Sequence, residues 1–249
     1  MIETGAPGTT PPGTSGEEQA ARWVQRMFAG IAPKYDLLNH VLSLNVDRRW
    51  RKALMRRLTP VLKQPGAKVL DLCCGTGDVL LDLQEIAPAP VMGADFCHPM
   101  LVAARRKAAR KKFEPLLIEA DALQLPFADN TLDAISIAFG FRNFANYGAG
   151  LRELNRALKP RGIIAILEFS HPDGLVLKSA YGFYSRVVLP NIGALLSGSR
   201  EAYAYLPESI RKFPRATELG EMMREAGFPD NDFELLTGGI AALHVGHKT

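Results

Sequence analysis

Residues 69–78 read VLDLCCGTGD, an apolar run that ends in small residues and gives way at 79–86 to the helical pattern VLLDLQEI. A short apolar run bounded by a turn has the length of a buried strand. Gly75 and Gly77 let the turn fold sharply and let backbone come close to a ligand, because neither carries a Cβ. Asp71 and Asp78 frame the turn with carboxylates. Strand, glycine turn and helix in this order hold a nucleotide-like cofactor at the carboxyl end of a strand in a doubly wound sheet.

Downstream the same alternation continues. Strands are predicted at 91–95 (VMGAD), 115–119, 131–138 (TLDAISIA) and 163–169 (IIAILEF), with helices at 99–112 and 149–158, the latter stopped by the KPRG of 159–162. Strands alternating with helices at this spacing argue for a parallel sheet covered on both faces. Residues 170–214 interrupt the pattern with a long apolar insertion, read as helices. A helix at 216–226, capped by Gly227, then leads to strands at 232–237 and 240–245 joined by the hairpin signal Gly238–Gly239. Upstream, residues 1–16 are rich in Gly, Pro and Thr and read as a disordered tail. Ala20, Trp23, Val24, Met27 and Phe28 form a helical stripe, residues 29–34 break it, and a second helix, basic in its middle, runs over 47–62. Residues 17–249 are thus expected to form one domain, with 170–214 as a helical insertion or lid.

Composition narrows the function classes. The 249 residues are 47% hydrophobic and 22% charged, ordinary for a globular chain. No apolar stretch approaches the roughly 20 residues that span a bilayer, and the first residues lack the basic and apolar regions of a signal peptide. A cytoplasmic location is expected. Cys73, Cys74 and Cys97 make no disulfide framework, and no His stands at zinc-like spacing beside them, so neither metal nor redox chemistry is expected. Much of the net charge of +4 sits in RRKAARKK at 105–112. That run reads either as the solvated face of a helix or as a surface for anionic lipid or nucleic acid.

The choice of cofactor follows from what the turn lacks. A dinucleotide fingerprint needs a third glycine, and Leu80 stands there. Asp78 opens the following helix, where a carboxylate repels a pyrophosphate but favours a cationic ligand; it also suits a helix N-cap. Asp95 closes the second strand, where an acid bonds ribose hydroxyls. S-adenosylmethionine, with an ammonium, a sulfonium and no phosphate, meets these constraints. Asp71 and Asp78 suit its methionine end, Asp95 its ribose, and the loop at 120–122 its adenine.

Taken together, DLCCGTGD, GADFCHPML, EADALQLPFADNTLDAISIAFGFRN, RALKPRGIIAILEFSHP, YLPESIRKFP and the closing GGIAALHVGHK resemble the ubiquinone/menaquinone biosynthesis C-methyltransferases. The resemblance runs from about Trp23 to the end. Glycine turns and LKPRG are common to many methyltransferases; FGFRN, YLPESI and ALHVGHK are the more specific parts. The resemblance implies a class I methyltransferase sheet of seven strands, mostly parallel, with the final hairpin adding one antiparallel strand. It implies that Thr76, Asp95 and the pair Asp121–Ala122 contact S-adenosylmethionine, beside the backbone that Gly75 and Gly77 are expected to bring close to it. Ala138 departs from it, since the family usually has Ser before FG-x-RN. Cys73–Cys74 stands where the family often has Gly or Ala.

The implied reaction is in-line transfer of a methyl group to a ring carbon of a polyprenylated quinol, demethylmenaquinol foremost. A benzoquinol precursor of ubiquinone or another small aromatic acceptor is the alternative. A base-amino methylase of nucleic acid is disfavoured, because the Asn/Asp-Pro-Pro-aromatic motif is missing after the fourth strand. A cofactor-binding protein without catalysis is the remaining rival. A quinol becomes a strong carbon nucleophile on losing a hydroxyl proton, so the site needs a proton acceptor or a cation beside the phenolate. Arg142 would supply the positive field and Asn143 would orient the hydroxyl, with a water taking the proton because arginine stays protonated. His171 and His244 are alternative bases or structural residues. Tyr35 either closes over the cofactor or packs the N-terminal helices. The apolar insertion at 175–206 would hold the isoprenoid tail and touch a membrane surface, at the inner face of the membrane, or would form a buried lid or the face of a homo-oligomer.

Overall fold

The computed structural model describes residues 8–32, 35, 45–172 and 200–249, with side chains in the last stretch from residue 204 onward. Helices α1 (Glu17–Ile31) and α2 (Asp47–Leu62) precede the alternating core. That core runs β1 (Val69–Leu72), α3 (Asp78–Gln84), β2 (Met92–Asp95), α4 (His98–Arg110), β3 (Leu116–Glu119), β4 (Leu132–Ala138), a 3-10 turn (Phe141–Asn143), α5 (Tyr147–Ala157) and β5 (Leu158–Phe169). Then come α6 (Arg200–Lys212), α7 (Ala216–Glu225), β6 (Asp230–Leu236) and β7 (Ala241–His247). The strands form one seven-stranded sheet in the order β3-β2-β1-β4-β5-β7-β6. β1 to β5 are parallel and β7 runs antiparallel to both of its neighbours. This is the class I methyltransferase architecture expected from the sequence.

The period-two alternation of the strands divides their side chains between two apolar layers. Leu70, Leu72, Ile135, Ile137, Ile164 and Ile166 face Leu151 and Leu154 of α5 and Leu219 and Met223 of α7. Val69, Ala134, Ile163, Ala165 and Leu167 face Leu54 and Leu58 of α2 and Leu80 and Leu83 of α3. All four residues of β1 are buried, as a strand covered on both faces requires. The basic middle of α2 makes surface ion pairs with the edge strand β6: Arg56 with Glu234 at 2.9 Å and Arg57 with Asp232 at 2.7 Å.

Two expectations change. KPRG at 159–162 does not separate α5 from β5; the strand begins at Leu158, with a register shift opposite Leu132 and Ala134. Leu158 is already extended, Lys159 reaches back to Asp133 at 2.7 Å, and Arg161 takes a left-handed φ of 64°. The sequence breaker is therefore an irregularity inside the strand. Nor does the tail stay loose where it is described. Thr9 is buried, its N–H donates to the Phe144 carbonyl at 2.8 Å, and Pro11 is buried too. The composition hid this because the anchoring uses a backbone bond, a hydroxyl and a single proline rather than an apolar stripe. Most of the apolar insertion (173–199), and residues 33–34 and 36–44 around Tyr35, lie outside the described residues, so the expectations placed on 175–206 do too, apart from α6.

Candidate active site

Strand order reverses between β1 and β4, one leading towards β2 and the other towards β5, which opens a crevice above their carboxyl ends. The turns after β1, β2 and β4 meet there. The Cys74 N–H bonds the Ala94 carbonyl at 3.0 Å and the Gly77 N–H bonds the Cys74 carbonyl at 2.8 Å, so the glycine turn is fixed to β2. Gly75 and Gly77 have φ of 53° and 88°, the left-handed region that a Cβ disfavours. Across the mouth of this turn lies Tyr35: a Cβ on Gly75 would meet Tyr35 Cε1 at 3.9 Å. Its ring also packs edge-on against Phe28 at 6.0 Å, so Tyr35 both covers the turn and joins the aromatic packing of α1.

Asp95 holds the turn from the side. One carboxylate oxygen accepts from the Gly75 N–H and the other from the Cys97 N–H, each at 2.9 Å. Burial pushes its carboxyl up to about 6 against these hydrogen bonds, which favour the charged form. Each oxygen keeps a lone pair, so the group suits a ribose diol as an acceptor. Asp121 and Ala122 follow β3, next to β2; the Asp121 carboxylate caps the Leu123 N–H at 2.9 Å and is exposed. A turn of glycine backbone, an acceptor carboxylate and a polar loop in one crevice fit an adenosine ligand without phosphate.

The two other acids, expected at the methionine end, each meet a partner from another element. Asp71 is 1% exposed, one oxygen accepts from Ser136 Oγ at 2.8 Å, and burial pushes it up to about 7. It braces β1 against β4 beneath the turn. Asp78 meets Lys107 Nζ at 2.7 Å and Arg51 at 3.2 Å, and Lys107 also donates to Thr76 Oγ1 at 3.1 Å. Its charge is therefore already compensated, and it does not single out a cationic ligand. Lys107 of α4 thus turns inward to this pair, whereas Lys111, just past the helix, meets Glu85 at 2.7 Å on the exposed surface.

Past β4, the chain turns at Phe139 and Gly140 into the Phe141–Asn143 turn. Phe139 and Cys73 adopt left-handed φ of 58° and 56°, unfavourable for non-glycine residues and typical of a constrained site. Arg142 is buried, pairs with Glu168 at 3.1 Å, donates to the Phe139 carbonyl, and lies 5.5 Å over the Phe169 ring. Burial works against both charges of this pair, and each supports the other. The field of Arg142 thus falls first on Glu168. Its neighbour Asn143 is half-buried, and its Oδ1 accepts from the Tyr205 hydroxyl at 3.0 Å. Phe139 and Phe169, ring centroids 4.9 Å apart, are half-buried beside them.

Glu168 and Tyr205 escaped the sequence reading. The signal for Glu168 was present, because an acid inside IIAILEF must be paired if that strand is central. His244 is a structural residue: its Nε2 bonds the Ala216 carbonyl at 2.8 Å and burial lowers it to about 4. Ala138 pairs with Leu167 at the end of β4, so the hydroxyl expected of the family is absent there. Burial pushes the Cys73, Cys74 and Cys97 thiols up, all three are free, and the described residues contain no cluster that could hold a metal.

Solved structures share this architecture. The [4+2]-cyclase SpnF matches with a TM-score of 0.69 over 97% of this chain and 98% of its own, at 16% identity. A SAM-dependent methyltransferase from Thermotoga maritima matches with 0.65 over 90% and 99%, also at 16%. These likenesses show the fold. Two demethylmenaquinone methyltransferases are much closer in sequence. That of Thermus thermophilus is 50% identical over 89% of this chain and all of its own length. That of Deinococcus radiodurans is 45% identical over 95% and 97%. A profile of the ubiE/COQ5 methyltransferase family matches residues 14–248, and the chain belongs to that family.

Proposed function

We propose that this S-adenosylmethionine-dependent methyltransferase methylates a ring carbon of demethylmenaquinol, a polyprenylated naphthoquinol. The observation that carries the reading is the meeting, at the sheet's switch point, of the Asp95-fixed glycine turn and the Arg142–Asn143 turn with its aromatic flank. The first suits the donor and the second an aromatic acceptor. The names of the relatives favour the naphthoquinol over a benzoquinol.

When bound, S-adenosylmethionine supplies an already activated methyl group, so the protein's task is orientation and stabilisation of negative charge on the acceptor. Asp95 would hold the ribose, Asp121 and Ala122 the adenine, and Gly75, Thr76 and Gly77, with Tyr35 above them, the methionine end. Asn143 would sit against the quinol oxygen. Arg142, engaged with Glu168, would fix the turn that presents Asn143 and would not act as a free cation. Phe139 and Phe169 would flank the rings. The proton would leave to water, since His244 is buried under α7 and away from the crevice.

The test is methyl transfer from labelled S-adenosylmethionine to short-chain demethylmenaquinol and to the matching benzoquinol. Label on the naphthoquinol ring carbon is expected, with the benzoquinol the poorer acceptor. Label on oxygen, or preference for the benzoquinol, would overturn the assignment.

A further inference from the structure

Three residues from distant parts of the chain meet at one hydroxyl. Tyr205 of α6 is 4% exposed, with its ring 4.9 Å from that of Trp23 on α1. Its oxygen lies 3.0 Å from Asn143 Oδ1 and 2.6 Å from Thr9 Oγ1. A phenol has one proton to give. A side-chain amide oxygen can only accept, so the Tyr205 proton goes to Asn143, and the Thr9 hydroxyl must then donate to Tyr205. Burial pushes the phenol upward, which keeps that proton in place. The chain of donation therefore runs one way, from Thr9 through Tyr205 to Asn143.

We infer that Tyr205 and Thr9 are positioning residues, which fix the Asn143 amide so that its nitrogen, and not its oxygen, is presented to the quinol oxygen. With Oδ1 engaged by Tyr205, the Nδ2 group is left to donate, and among the described residues it has no partner. An N–H donor is the group that stabilises the oxyanion left when the quinol loses its proton; an amide oxygen in that place would oppose it. Thr9 is itself held by its N–H on the Phe144 carbonyl, one residue beyond Asn143. The segment at 8–16, whose composition shows no link to chemistry, thus braces the acceptor side of the site. This rests on the reading that Asn143 faces the quinol.

The experiment measures kcat and KM for both substrates in Asn143→Ala, Asn143→Asp, Tyr205→Phe, Thr9→Val and Thr9→Ser, with melting temperatures for each. Asn143→Asp keeps an acceptor for Tyr205 but has no donor, and is expected to lose as much kcat as Asn143→Ala. Tyr205→Phe is expected to lower kcat at least about tenfold, since small misplacements of a reacting contact cost up to about a hundredfold, with KM for S-adenosylmethionine unchanged. Thr9→Val should follow it less steeply and Thr9→Ser should restore the rate. In an Asn143→Ala background, Tyr205→Phe should have no further effect on kcat; a purely structural tyrosine would lower it again. If Tyr205→Phe keeps kcat within about twofold of wild type while Asn143→Ala loses it, the relay is wrong and the proposed function stands. If Asn143→Ala itself is fully active, the placement of Asn143 at the quinol fails.

Discussion

A Cβ added to Gly140 would fall 2.3 Å from the Cβ and 2.9 Å from the Sγ of Cys73, so the turns after β4 and β1 touch where only one can carry a side chain. Cys73 takes its left-handed φ of 56° at this contact.

Gly140→Ala is therefore expected to destabilise the protein by about 3 kcal/mol, the upper end of what overpacking costs. Cys73→Gly removes the clashing atoms at a φ that glycine adopts freely, and should recover most of the loss. Urea unfolding of the two single variants and the double variant measures this. Equal cost of Gly140→Ala in both backgrounds would show that another neighbour is responsible.

Arg142 and Glu168 form a buried pair, and removing one partner leaves the other's charge without compensation. Arg142→Met is expected to cost about 3–5 kcal/mol, while Arg142→Met with Glu168→Leu should cost much less. Denaturation midpoints decide it. Activity lost in Arg142→Met must be judged beside that figure, because the turn carrying Asn143 depends on the same pair.

Burial raises Asp71 to about 7 and Asp95 to about 6, both above the ordinary 3.8. A carboxyl raised in the folded state keeps its stabilising proton at low pH and loses it as pH rises through the folded value. The ligand-free protein should thus lose stability from these two groups between about pH 4 and pH 7, the reverse of a salt-bridged acid. Asp71→Asn removes one titration and should flatten the decline measured by urea unfolding at pH 5 and pH 7.5. An unchanged slope would mean that Asp71 is already ionised at pH 5.

Asp95→Asn keeps the shape but replaces an acceptor with a donor. Hydrogen bonds to a charged group are worth about 1.5–3 kcal/mol, so S-adenosylmethionine should bind about 10- to 100-fold more weakly, and Asp95→Ala should abolish measurable binding. Isothermal titration is the readout. Wild-type affinity in either variant would remove the ribose role.

The alternating strands and helices were legible because buried parallel strands and amphipathic helices carry strong periodic signals. Residues 47–62 were placed as a helix with the bounds it has. The glycine turn and Asp95 were legible for a related reason: they lie at strand ends, where a short motif fixes its own geometry. The surroundings of Asp71 and Asp78 were not legible, because a sequence shows a carboxylate but not Ser136, Arg51 or Lys107 arriving from other elements to meet it. The same holds for Arg142, whose charge looked free until Glu168 was seen against it. Thr9 and Tyr205 were beyond reach, since nothing local marks two hydroxyls 196 residues apart as one contact.

That separation has a consequence for how the protein comes into being. Chains emerge from the ribosome amino end first, and local contacts form before distant ones because closing a long loop costs entropy. β1 to β4 and the glycine turn can assemble early, whereas β5 gains its second neighbour only when β7, the last strand, has been made. Thr9, translated far earlier, waits for Tyr205 to appear. The donor half of the crevice is therefore built first and the acceptor half is closed last.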